Sequence, residues 1–209
     1  MTKPNLMALA EQERAALLAL LRDLDEGQWA APSLCSGWSV RDVAVHIVSY
    51  DELSAIELAK TFVVGGPRVS GVNERALRRY SCLTPIEVID LVARCRRPKG
   101  LTAGFGGGIA LTDGTIHQQD IRRALALPRS ITGHQLRAVL DFAVKAPTLP
   151  ARSNAGGLRL VATDVGWTHG TGPSISGPGE AVLMAVAGRA DALDELSGEG
   201  LPTLRDRLS

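Results

Sequence analysis

Asp113 and His117 stand four apart in the stretch 111–127, LTDGTIHQQDIRRALAL, which reads as a helix. Residues at that spacing share a helix face, with Cβ atoms about 5–6 Å apart. A carboxylate and an imidazole so placed can close on one divalent ion. A third ligand must come from elsewhere, and the chain holds four histidines. His46, inside the apolar run VRDVAVHIV, is the candidate. Three protein ligands leave a coordination position free, which separates a catalytic metal site from a closed structural one. The competing reading is an ordinary polar pair on a helix, with His46 a hydrogen-bonded core histidine. A buried imidazole costs desolvation energy unless its nitrogens find partners. Asp120, one turn past His117, could orient it as a hydrogen-bond acceptor. Arg122 and Arg123 read as solvated helix charges that could also meet an acidic substrate or pair with Asp120.

The helix carrying Asp113 and His117 should end at Pro128. Its Gly114 costs about 1 kcal/mol relative to alanine, unless the missing side chain permits close packing or ligand approach. The preceding GLTAGFGGGIALTDG holds neither a dinucleotide nor a P-loop pattern and reads as a flexible approach. For the His46 helix, Ser39 is the N-cap and Asp42 faces the positive end of the dipole. Trp38 and Val43 form a hydrophobic staple. That places His46 beside Val43 and Ile47, on or near the core face. Pro32 and Gly37 mark the loop before it.

Elsewhere, Asn5 caps a helix to about residue 25. Its stripe is Leu6, Leu9, Ala10, Leu17, Leu20, Leu21 and Leu24, and Gly27 ends it. Residues 65–72 read as a loop and Asn73 as the start of a short helix. Thr84-Pro85-Ile86-Glu87 combines cap, proline and reciprocal glutamate, opening a helix to about 97. Thr132 with Gln135 opens another to about 146. After Pro150, ARSNAGG reads as a linker or hairpin tip. LRLVATDVGW reads as a strand, and THGTGPSISGPG as a turn and a second short strand. Short helices follow over 180–188, 190–196 and 202–208. Leu158, Leu160, Val182 and Leu183 should be buried.

Composition narrows the classes. Apolar content of 45% and charge of 22% over 209 residues are those of a soluble globular protein. A net charge of +1 gives no electrostatic ground for nucleic acid or an anionic membrane. Aromatics at 4% are too few for single-strand stacking platforms. No apolar run approaches a membrane span. The N-terminus carries glutamates where a signal peptide would be apolar. Cys35, Cys82 and Cys95 follow no metal or disulfide spacing. Each is expected to be a buried apolar residue of a reduced, cytoplasmic protein.

AAPSLCSGWSVRDVAVHI resembles the N-terminal signature of the mycothiol-dependent maleylpyruvate isomerase family, a branch of the DinB-like helical bundles. The resemblance continues in DGTIHQQDIRRALALP and in LRLVATDVGWTHGTGPSISGPGEAVLMAVAGRADALDELSGEG. The blocks stand in family order and reach nearly the whole chain. They imply a mainly α fold: a DinB-like antiparallel four-helix bundle over 1–150, then a small α/β C-terminal domain over 151–209. They imply a metal triad of His46, Asp113 and His117, with zinc as the first divalent ion to consider. A well-known type of family member has glutamate at the acidic position. Aspartate is one methylene shorter, so ligand distance or metal preference can differ.

Mycothiol is the thiol that the resemblance implies. A divalent ion lowers the pKa of a coordinated thiol. The thiolate adds to a cis double bond conjugated to a carbonyl, the resulting single bond rotates, and elimination leaves the trans isomer. In the related transferase chemistry the adduct is kept. Arg189, in AVAGRAD, matches the family's arginine for an acidic substrate, and a helix-end arginine is the structural alternative. The implied function is a metal- and thiol-dependent isomerase or transferase acting on a small acidic or unsaturated substrate. The alternative is a non-catalytic DinB-like metal- or ligand-binding module with a regulatory role, since fold does not fix function. His134 and His169 lie outside the triad and read as surface or hydrogen-bonding residues.

Overall fold

Caps decide where the helices begin. In the computed structural model, which describes residues 4–52, 69–147 and 149–209, Asn5 Oδ1 accepts from Ala8 N at 3.1 Å and opens α1, Leu6–Asp23. Gly27 does not end this helix. Asp25 forms a capping box with Gln28 and starts a short second helix, α2, Glu26–Ala30. A local Asp-x-x-Gln pair thus overrides the glycine as punctuation. Ser39 caps α3, Val40–Ser49, as expected, and Asp42 returns a bond to the cap backbone to complete a capping box. Helix α4 covers Val69–Arg79, so 69–72 are helical and not loop, while 65–68 lie outside the described residues. Asn73 is no cap there, because it lies inside a helix that begins at Val69; its Oδ1 accepts from the Tyr50 hydroxyl. Thr84 and Glu87 box the start of α5, Pro85–Arg94.

Then a 3₁₀ turn, Gly104–Gly107, leads into α6, Gly108–Ala124, which begins one turn earlier than its sequence indicates. Gly107 is the reason. Its φ is +94°, and a Cβ there would sit 2.7 Å from Met7 Cα on α1. The glycine-rich run is a close backbone approach between the two helices more than a flexible lead-in.

These helices form one compact unit, Asn5–Pro128. Helices α1 and α3 each pack against both α5 and α6, and α3 also packs against α4. Leu17, Leu21, Val43, Ile47, Leu91 and Ile121 lie in their common core. At one point that core is ionic. Arg14, 1% exposed, forms a two-pronged ion pair with Asp51 and donates to the carbonyls of Cys95 and Ile47. Asp51 also accepts from Thr102 Oγ1 at 2.6 Å and Lys99 N at 3.2 Å. The node joins α1, the ends of α3 and α5, and the segment that leads to α6.

The second unit is Arg129–Ser209. It opens with α7, Gly133–Ala143, capped by Thr132. A short helix α8, Ala151–Asn154, stands where a linker or hairpin tip was expected. Asn154 Nδ2 donates to Val186 O at 2.9 Å, a tertiary bond that local turn propensity does not contain. Three strands follow: β1, Arg159–Ala162; β2, Trp167–His169; and β3, Ser174–Gly177. Their order is β2-β1-β3, with β1 antiparallel to β2 and parallel to β3. Helix α9, Gly179–Val186, packs on β1 and on α7. A 3₁₀ turn, Ala190–Glu195, and α10, Leu201–Arg207, complete it. Leu158, Leu160, Val182 and Leu183 are all buried. The contacts divide the chain after Pro128 and not at 150, because α7 packs on α9 and Asp141 accepts from Trp167 Nε1 at 2.9 Å. The fold is mainly helical with a small α/β part. No helix among the described residues is long and apolar enough to cross a membrane.

Candidate metal centre

Helix α6 places Asp113 and His117 on one face, and α3, packed beside it, brings His46 to the same point. Asp113 Oδ1 lies 3.6 Å from His46 Nε2 and 3.5 Å from His117 Nε2. The two imidazole rings meet edge to face, with centroids 4.7 Å apart. One donor atom from each of the three residues lies within 4.8 Å of the others. The side chain of Asp113 is 32% exposed, against 8% for His46, so the carboxylate marks the open side.

The imidazoles are held in different ways. His117 Nδ1 lies 2.9 Å from Asp120 Oδ2, a carboxylate with no solvent exposure. That bond leaves Nε2 for the centre. His46 Nδ1 is buried and has no hydrogen-bond partner among the described residues. Its ring is fixed by packing, with Trp38 at 4.9 Å and Tyr50 edge-on at 6.0 Å between centroids. The ordered loop before α3 supplies Trp38, and Tyr50 follows His46 by one helical turn.

Charge follows the same geometry. Burial opposes ionisation of Asp113, but His117 and His46 outweigh it and hold the carboxyl below the usual carboxylate range. Burial also works against a charged His117. The Asp113 charge and the hydrogen bonds to Asp120 and Cys35 overcome it and push the imidazole up to about 10. The cluster is built to hold positive charge, on His117 or on an ion touching the same atoms.

The two separations about Asp113 are those of ligands sharing one divalent cation. Bonds of about 2.0–2.2 Å at tetrahedral angles put ligand atoms roughly 3.3–3.6 Å apart. Two nitrogens and one carboxylate oxygen suit zinc.

Other residues singled out in the sequence have local contacts of their own. Arg122 donates to Gln118 Oε1 at 3.2 Å and to Leu127 O at 3.4 Å, bracing the end of its own helix. His134 is exposed, and His169 is partly buried and stacks on Trp167. Arg189, in the second unit, donates from Nη1 to Ala187 O at 2.7 Å and precedes the Ala190–Glu195 turn.

The cysteines do not share one role. Cys95 is buried, and burial, then the Asp51 and Glu52 charges, push its thiol up to about 11. Cys82 is exposed, because it lies in the turn between α4 and α5. Cys35 is half-buried and its sulfur donates to Asp120 Oδ2 at 3.1 Å. Spacing gave no sign of that contact, since Cys35 and Asp120 are 85 residues apart. The only hint was its place in the loop just ahead of the His46 helix.

Residues 10–98 match the family model of the mycothiol maleylpyruvate isomerase N-terminal domain, a span that includes His46 but neither Asp113 nor His117. Among curated proteins, none matches the chain. A crystal structure of the mycothiol-dependent maleylpyruvate isomerase is similar with a TM-score of 0.55 and 17% identity, covering 95% of this chain and 96% of that one. A histidine-to-alanine mutant of that isomerase gives 0.54 and 18% at the same coverage. Residues 10–98 therefore belong to the mycothiol maleylpyruvate isomerase N-terminal domain family, and the chain as a whole has the fold of the mycothiol-dependent maleylpyruvate isomerase.

Proposed function

We propose that the chain is a metal- and thiol-dependent enzyme. It uses a divalent ion, zinc first, and mycothiol to isomerise a small acidic substrate at a cis double bond conjugated to a carbonyl. Transfer of the thiol to such a substrate is the neighbouring outcome of the same chemistry. The observation that carries this reading is the convergence of His46 Nε2, Asp113 Oδ1 and His117 Nε2, with separations of 3.5–3.6 Å about Asp113, at a place where Asp113 is partly exposed.

His46, Asp113 and His117 would hold the ion, which supplies the Lewis acidity that makes a thiol ionise near neutral pH. Asp120 keeps the proton of His117 on Nδ1, so the Nε2 lone pair faces the centre. Trp38 and Tyr50 wall the His46 side and limit water there. The exposed flank of Asp113 is the side from which a thiol and a substrate would approach. The double bond changes geometry without net oxidation, and the thiol is released unchanged.

The test begins with protein purified without chelator. Metal analysis should give about one zinc per chain. Mycothiol should then bind with an affinity that falls when the metal is stripped. Maleylpyruvate is the first substrate to try, with the trans product followed by absorbance. Metal-loaded protein that binds no thiol would favour the non-catalytic module instead.

A further inference from the structure

Cys35 has no part in the function proposed above, yet its sulfur lies 3.1 Å from Asp120 Oδ2 and 3.5 Å from His117 Nδ1. The loop that carries it is anchored on several sides. Leu34 N donates to Asp120 O on α6 at 3.3 Å, and Trp38 N donates to Cys35 O at 3.0 Å. Cys35 N donates to Ser33 Oγ at 3.1 Å, and the same hydroxyl donates to Trp38 O at 2.9 Å. Gly37 closes the turn at φ +78°, a value that side chains rarely adopt. Backbone bonds thus place the sulfur, and they place it against α6.

Asp120 is 0% exposed, and a carboxylate so buried must have its acceptors satisfied. Oδ2 lies within hydrogen-bond distance of both the Cys35 sulfur and His117 Nδ1. Each donor that the carboxylate holds also fixes where its oxygens point. A thiol is a weak donor, but an ionised acceptor strengthens the bond. We propose that Cys35 is a positioning residue of the metal centre: its S–H fixes Asp120, Asp120 fixes His117 Nδ1, and His117 Nε2 is thereby aimed at the ion. The proposal rests on the metal reading above, but it predicts an effect on His117 that exists without metal.

The experiment compares wild type, Cys35→Ser and Cys35→Ala. Zinc affinity is measured by competition with a chelator. The alanine variant should bind zinc on the order of 10-fold more weakly, the lower end for loss of an outer hydrogen bond at a metal ligand. The serine variant, which keeps a donor, should recover most of that loss. Unchanged affinity in Cys35→Ala overturns the proposal. So does a loss that serine does not recover, since that marks packing and not hydrogen bonding. Nitrogen NMR of His117 in the metal-free proteins supplies the second readout. The Nδ1 resonance should move in the alanine variant and return in the serine variant, and an unmoved resonance also overturns the proposal. If wild type binds no zinc, the proposed function fails, and the NMR arm alone decides whether Cys35 holds His117 through Asp120. Should Cys35→Ala lose helicity by circular dichroism, Cys35→Val, which fills the space without donating, takes its place.

Discussion

His117 is the residue on which the centre turns, because both of its nitrogens are engaged: Nε2 faces Asp113 and Nδ1 meets Asp120. His117→Ala should abolish zinc binding while far-ultraviolet circular dichroism stays that of the wild type, since the α1–α3–α5–α6 core is held by apolar packing and the Arg14–Asp51 pair and needs no metal ion. An unfolded variant would make the site structural. Asp120→Asn should keep the shape but weaken zinc by about 10–100-fold in chelator competition. The pairing of Asp113 with His117 was legible in the sequence because helix geometry is local. His46 is not fixed by local geometry, because a different helix brings it to Asp113. Cys35 was not legible, since its contacts with His117 and Asp120 span 82 and 85 residues.

At the scale of elements, the start signals read best. Thr84 with Glu87 acts within one turn, so the box seen in the sequence is the box in the structure, and Ser39 and Thr132 cap the helices they were read to cap. The misreadings have tertiary causes. Asn154 bonds across to Val186 and helps hold a helical turn where the composition spelled a linker. Gly107 is set by Met7, 100 positions away in the chain, so its meaning was hidden from any local window. Gly107→Ala should cost of order 1–3 kcal/mol in denaturant unfolding, from strained φ and the clash with α1. Gly114→Ala should behave in the opposite way. A Cβ there meets Glu13 Cγ at 3.4 Å and Ile47 Cγ2 at 4.0 Å, ordinary contact distances, so the helix gains up to about 1 kcal/mol.

For the molecule as a whole, stability in the Asn5–Pro128 unit has an ionic keystone in Arg14 and Asp51. Both residues look like surface charges in the sequence, and only the fold pairs them. Asp51→Ala leaves a guanidinium buried without its partner and should cost about 3–5 kcal/mol by chemical denaturation. Alkaline pH should act through Tyr80. Burial, then the charge of Glu52 and the hydrogen bond to it, push the phenol up to about 12 from its ordinary value of 10.0. The unfolded chain therefore releases that proton first. The tyrosine's share of stability is complete below pH 10 and is lost as pH rises towards 12, which NMR titration of its ring against the unfolding midpoint would show. A last consequence follows from the triad's being drawn from two helices, α3 and α6. An ion bound there is a cross-link between segments far apart in the chain, so occupancy and lifetime of the folded state are tied by mass action. Free zinc at 100 times its Kd would add about 2.7 kcal/mol to stability. Amide exchange should slow in α3 and α6 together on loading, and stripping the ion should release both at once.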